Sequence, residues 1–348
     1  MDVNHPAHVH LVRHGVGEWR RRGHECLVTA RAKDVTVRLL AAYGLPHEVL
    51  GAPRRGRLGR ALELLEREAR FLRVARRFRP HVITGTSPHA ARVARLVGAR
   101  SVVLNEDDAE VVPLFRWVSY PLATAIVTPD CLAHERHGPG HLTYPSYQEL
   151  FYLHPHRFTP DPTVRGEIGL QAGERFALVR LSALDAHHDR GVRGVSQGLL
   201  AAVRRLAGDI KVLISGEKAL PVELAGLGLR APPERMHDVL AQAEFFLGDS
   251  QTMTAEAAVL GVPAFRINDF VGRLSYLAQL ESYGLAFGFR PGEEEALLGR
   301  LAEVLAIPGR REEFQRRRER LLAEKVDPLP WFVDAIEALG RGRRPPAA

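Results

Sequence analysis

Asp249-Ser250-Gln251-Thr252 joins an apolar run, Phe245-Phe246-Leu247-Gly248, to a helical pattern, and residue types in this order suit the binding of an anion. Asp, Ser and Thr cap helices by accepting from the first backbone N–H groups, which have no partner inside the helix. The N–H groups left over, and the positive end of the helix dipole, attract a phosphate. Glu256 stands four residues past Thr252, one turn further on, where a carboxylate can accept from the paired hydroxyls of a sugar. The same turn also suits an ordinary capped helix of an α/β sheet.

Three other polar clusters follow strand-like runs. Asn4-His5-Pro6-Ala7-His8 comes after the first strand and opens a helix, so Asn4 and His5 are candidate sugar or acceptor contacts and His8 a candidate catalytic group. His10 and His14 lie deeper in that helix, without the carboxylate or thiolate spacing of a metal site, and no metal is expected. Asn105-Glu106-Asp107-Asp108 follows a second strand, and crowded carboxylates raise one another's pKa, which makes Glu106 and Asp107 candidate general bases. In Arg180 through His187-His188-Asp189-Arg190, Arg180 and Arg190 suit a diphosphate and His188 suits protonation of a leaving oxygen. Ser215, Gly216 and His237 are candidate edges of a base pocket, and Ser87 and Asn268 are further candidate sugar or acceptor contacts.

The elements that must position these groups alternate. Strand patterns at Met1 to Val3, Glu25 to Thr29, Glu48 to Leu50, His81 to Thr84, Ser101 to Leu104 and Ala125 to Val127 are separated by helical ones, which predicts a parallel sheet with crossover helices. A proline-rich crossing, His154-Pro155 through Asp161-Pro162, interrupts the rhythm. Strands at Phe176 to Leu181, Lys211 to Ser215, Glu244 to Leu247 and Ala264 to Ile267 then resume it. The expected division is 1–157 and 158–330, two doubly wound Rossmann-like α/β domains, with a helix and basic tail over 331–348. In such sheets ligands bind outside the carboxyl ends of the strands.

The 348 residues suit two domains, and 45% apolar with 26% charged residues is a globular composition. No apolar run reaches a membrane span and the start carries no signal-peptide pattern, so a cytoplasmic protein is expected. Two cysteines without CxxC spacing support neither a disulfide framework nor a thiolate metal site. The net charge of +7 comes from arginines that mostly share helices with glutamates. It suits nucleotide diphosphates, while the lack of any RNA-binding fingerprint or zinc finger argues against nucleic acid. The Arg- and Leu-rich helices leave room for a peripheral membrane contact or a homodimer surface.

Asp249, Ser250, Glu256, Gly261 and Pro263 resemble the nucleotide-sugar signature of GT-B-fold proteins, in particular non-hydrolysing UDP-N-acetylglucosamine 2-epimerases and MurG-type glycosyltransferases. From MDVNHPAHVH through LNEDDAE and AHHDRG the chain is also similar to a poorly characterised family of bacterial and archaeal GT-B-like proteins. The resemblance implies two domains facing a cleft, a nucleotide-sugar substrate with a UDP-sugar favoured, an acceptor of unknown kind, and no tightly bound cofactor. His188-Asp189-Arg190 best matches a His-Arg-x-x-Asn context of the epimerases. Their aspartate after the fourth strand has no counterpart in Gly85-Thr86-Ser87-Pro88-His89, which moves weight from epimerisation to transfer. The expected function is a glycosyltransferase-like enzyme, with a 2-epimerase or a non-catalytic nucleotide-sugar binder as the alternatives.

Overall fold

Short Val-, Ile- and Phe-rich runs buried on both faces make parallel strands here, as expected where crossover helices cover both sides of a sheet. The computed structural model describes residues 1–32, 35–52, 56–113, 115–181, 195–216 and 220–348, without the side chains of 57, 58, 60 and 61. It divides into two units, Met1–His154 with Lys325–Ala348, and Pro155–Glu324.

The first unit runs β1 (Asp2–Val3), α1 (Pro6–Arg21), β2 (Val28–Arg31), α2 (Thr36–Ala42), β3 (His47–Gly51), α3 (Arg57–Phe78), β4 (Val82–Gly85), α4 (Pro88–Val97), β5 (Arg100–Leu104), β6 (Ala125–Pro129), β7 (His141–Tyr144) and α5 (Leu150–Leu153). Its seven strands lie in the order β3-β2-β1-β4-β5-β6-β7, and every pairing is parallel. Val3, Val9, Val12, Val16, Val28 and Leu39 form one apolar cluster with α1 and α2. Leu50, Phe71, Val74, Ile83 and Val93 form another with α3 and α4.

The second unit runs α6 (Val164–Glu167), β8 (Phe176–Leu181), α7 (Gln197–Ala207), β9 (Lys211–Gly216), α8 (Met236–Gln242), β10 (Phe246–Gly248), α9 (Gln251–Val259), β11 (Ala264–Ile267), α10 (Ser275–Ser282), β12 (Ala286–Phe289), α11 (Glu294–Leu305) and α12 (Arg310–Glu324). The sheet order is β12-β11-β10-β8-β9, again parallel throughout. The last helix, α13 (Pro328–Gly340), belongs to the first unit. There Trp19 Nε1 donates to Val333 O at 3.3 Å, and Phe332 meets Trp19 and Phe151 edge-on.

The strand order reverses between β1 and β4 in one sheet and between β8 and β10 in the other. At such a switch point the flanking loops turn to opposite faces and leave a crevice for a ligand. At the first of them β1 and β4 touch through Asp2 and Gly85. A Cβ on Gly85, whose φ is +147°, would lie 2.3 Å from Asp2 O. Gly85→Ala is therefore expected to lower stability by roughly 3 kcal/mol, measured as a fall in the urea midpoint; an unchanged midpoint would show that the two strands yield.

Candidate functional site

In the second unit the switch point carries the turn into α9. Ser250 caps the helix, its Oγ accepting from Met253 N at 3.3 Å, while Thr254 Oγ1 donates to Ser250 O at 2.7 Å. Asn268, just past β11, pins the turn: its Nδ2 donates to Asp249 O at 2.9 Å and its Oδ1 accepts from Phe270 N at 3.0 Å. With Met253 N used by the cap, the N–H groups of Gln251 and Thr252 are the first-turn donors left to meet an anion.

Gly248 sits in register with Arg180 on one side and Arg266 on the other. A Cβ there would come within 3.0 Å of both Arg180 Cβ and Arg180 O, so the glycine keeps β8 and β10 in close contact. Arg180 Nη1 donates to Ser215 Oγ at 2.8 Å, which holds the guanidinium along the strand ends of β8 and β9. The structure thus brings Arg180, Ser215, Asp249, Ser250, Gln251, Thr252 and Asn268 to the strand ends, and Gly216 ends β9 beside them. His188 and Arg190 lie outside the described residues.

Glu256 and His237 are paired inside the unit. His237 Nε2 lies 2.9 Å from Glu256 Oε1, and the two residues are 3% and 4% exposed. The carboxylate is therefore held by the protein, and it fixes the orientation of the imidazole. Phe158 meets the His237 ring edge-on. Arg235 anchors the start of α8 through Asp238, Asp161 and Glu167 at 2.8, 2.9 and 2.9 Å.

In the first unit His5 is the N-cap of α1, its Nδ1 accepting from Ala7 N at 3.3 Å. His8 Nδ1 accepts from Asn4 N at 3.3 Å and contacts Thr86 Oγ1, which bridges the loops after β1 and β4. A backbone N–H can only donate, so Nδ1 is the acceptor in both rings and the neutral imidazoles carry their proton on Nε2. His5 and His8 are thereby set to donate a hydrogen bond, not to take a proton at Nε2. Ser87 is fully buried and caps α4, accepting from His89 N at 3.2 Å.

The acidic run splits. Burial, then the charge of Asp108, push the Asp107 carboxyl up to about 6, while Asn105 Nδ2 donates to Tyr120 OH at 2.9 Å. Glu106 lies inward, near Tyr144 and Cys131. Burial, then Asp130, push the Cys131 thiol up to about 12, so it is no nucleophile near neutral pH. Sequence reasoning missed the histidines that follow β6. Asp108, His134 and Glu135 bring one ligand atom each within 4.8 Å of one another, a group able to hold a metal ion. His134 Nδ1 lies 3.1 Å from Cys131 O, and Glu135 accepts from Ala109 N at 2.7 Å and meets His137 Nε2 at 2.9 Å. Their position after a parallel strand was the available signal.

No protein-family model matches this chain, and no curated protein matches it. Solved structures do. An S. aureus MnaA–UDP co-structure is similar with a TM-score of 0.69 at 10% identity, over 100% of this chain and 98% of that one. A UDP-N-acetylglucosamine 2-epimerase gives 0.67 at 14%, over 100% and 98%. Spinosyn rhamnosyltransferase SpnG complexed with thymidine diphosphate gives 0.62 at 16%, over 97% and 98%. Likeness at this level establishes the fold, that of GT-B glycosyltransferases and 2-epimerases.

The raised Asp107 pKa has a sign. Its unfolded value is 3.8 and its folded value about 6, so the native state holds the proton longer, and stability falls as pH rises through that window. Asp107→Asn removes the loss: the variant should melt higher than the parent at pH 8 and no higher at pH 4. Equal melting points at pH 8 would place Asp107 in water.

Proposed function

We propose that the protein is a sugar-nucleotide-dependent glycosyltransferase. The observation that carries the reading is the β8–β10 switch point, where Gln251 and Thr252 open α9 with first-turn N–H groups and Arg180 stands in register with Gly248, just before that turn. Together they supply donors and positive charge for a departing diphosphate, the group whose charge grows as the glycosidic bond to the nucleotide breaks. UDP and thymidine diphosphate in two of the similar structures support a nucleotide ligand. His237, fixed by Glu256, borders the nucleotide; opening of that pair would free the carboxylate for ribose hydroxyls.

On the first unit, Asp107 takes the proton of the acceptor hydroxyl, since its pKa near 6 leaves it ionised yet basic at neutral pH. His5 and His8, as Nε2–H donors, orient sugar or acceptor oxygens. Gly85-Thr86-Ser87 after β4 offers no carboxylate, and buried Ser87 is committed to its helix cap, which favours transfer over epimerisation.

A thermal-shift series with UDP, UDP-N-acetylglucosamine and dTDP-, GDP- and CDP-sugars tests the nucleotide site, because a ligand of the native state raises the melting point. One nucleotide class is expected to shift it. Arg180→Ala should weaken that ligand about tenfold or more, the worth of a hydrogen bond to a charged group, and Glu256→Gln, which keeps a partner for His237, should weaken it less. No shift with any nucleotide would end the proposal. Transfer should also survive a chelator, since Arg180 and the helix end act in place of a metal; activity restored only by added divalent ion would move the chemistry elsewhere.

A further inference from the structure

The first unit contains a cavity of ≈ 600 Å³ that the proposed chemistry does not use. Met1, Leu27, His81 and Val82 line it, and these precede or open the parallel strands β1, β2 and β4. Asn4, His8 and Thr86 follow the other ends of the same strands, so the cavity lies at the opposite edge of the sheet. Its size falls in the range of small-molecule sites.

The walls are apolar: Trp19 from α1, Phe71, Val74 and Phe78 from α3, and Ile336 from α13. Thr84 also lines it, with a hydroxyl that has no hydrogen-bond partner. Charge gathers at the mouth. Glu337 is paired there with Arg22 and Arg341 at 3.2 and 3.3 Å, and His24 Nε2 lies 3.3 Å from it. Arg79, the left-handed C-cap of α3, is exposed and forms no ion pair among the described residues. Glu25 is the opposing charge at the rim. The result is an apolar chamber with an uncommitted guanidinium at its entrance.

We infer that this cavity binds a single-chain aliphatic carboxylate, with the chain between Trp19, Phe71, Phe78 and Ile336 and the head group at Arg79. An aliphatic chain matches the face that Trp19, Phe71, Val74, Phe78 and Ile336 form, and a carboxylate matches the exposed guanidinium of Arg79. The site is separate from the proposed transfer reaction, because it lies at the edge of the sheet opposite Asn4, His8 and Thr86.

Trp19 reports occupancy. In a Trp117→Phe, Trp331→Phe background, 11-bromoundecanoate should quench Trp19 fluorescence saturably, since bromine quenches on contact. Arg79→Glu should weaken the acid roughly three- to tenfold, the effect of an exposed ion pair reversed, and 11-bromoundecanol should bind as weakly to the parent protein. Ala75→Phe, which fills the chamber from α3, should abolish quenching; Arg79→Glu carries the test if that variant does not fold. Absence of saturable quenching, equal binding of acid and alcohol, or quenching only by vesicles of brominated phospholipid would overturn the inference.

Discussion

The contact between Gly85 and the backbone of Asp2 governs the geometry of the first unit, because the two strands that meet there carry their loops to opposite faces. Any side chain at Gly85 would enter the space of Asp2 O. With the strands so close, the loops after them also converge, and His8 reaches Thr86 across the switch point. Asp2 is buried at the same place, held by Thr29 Oγ1 at 2.8 Å and Arg67 Nη2 at 2.7 Å. A buried carboxylate costs several kcal/mol unless its oxygens are satisfied, so the tight strand pair and this polar anchor depend on each other. Gly248 performs the same service in the second unit, where it lets β8 and β10 close up and sets Arg180 beside the α9 turn.

Two opposite protonation devices follow from that frame. Backbone N–H groups supply donors to His5 and His8 at Nδ1, which leaves Nε2 carrying the proton in the neutral rings. Asp107 receives no comparable help: burial and the Asp108 charge disfavour its ionised form. One set of groups is set to give a hydrogen bond, and the other keeps its proton to a higher pH than an ordinary carboxylate. At the second unit's switch point nothing needs to titrate, because helix-end amides and an arginine are permanent donors.

The plan of both sheets was legible because their central strands are buried on both faces and read as apolar runs: Phe176 to Leu181 and Ala264 to Ile267 fall where the pattern put them. Of the edge strands, β3 and β9 were also legible, and β7 and β12 were not. β7 (HLTY) and β12 (AFGF) each have only one fully buried residue, so neither shows a core strand's run. β2 begins at Val28, later than the Glu25 start the pattern suggested, because Glu25 and Cys26 sit at the rim of the sheet. At the site, the Asp249 to Thr252 turn was readable from capping chemistry, which is local. The Glu256–His237 pair was not, since its members are 19 residues apart and meet only when α8 packs on α9. Similarly, nothing local joins Asp108 to His134 and Glu135; β6 must first pair with β5.

The return of the last helix to the first unit shows how far such non-local constraints reach. Lys325, 6% exposed, places its ammonium between the two oxygens of Asp130 at 2.8 and 2.9 Å, and Ser146 Oγ donates to Val326 O at 2.6 Å. These contacts fix the point where the chain re-enters the unit it left at His154. From there Phe332 completes an aromatic set with Trp19 and Phe151 that α1 and α5 could not close alone. Arg22 then ties the end of α1 to Asp334 at 2.6 Å. An amphipathic pattern at the end of a sequence cannot say which earlier surface it will cover. Here the answer is set by a buried lysine that has one carboxylate to meet, and the same docking forms the wall of the apolar chamber at the far edge of the sheet.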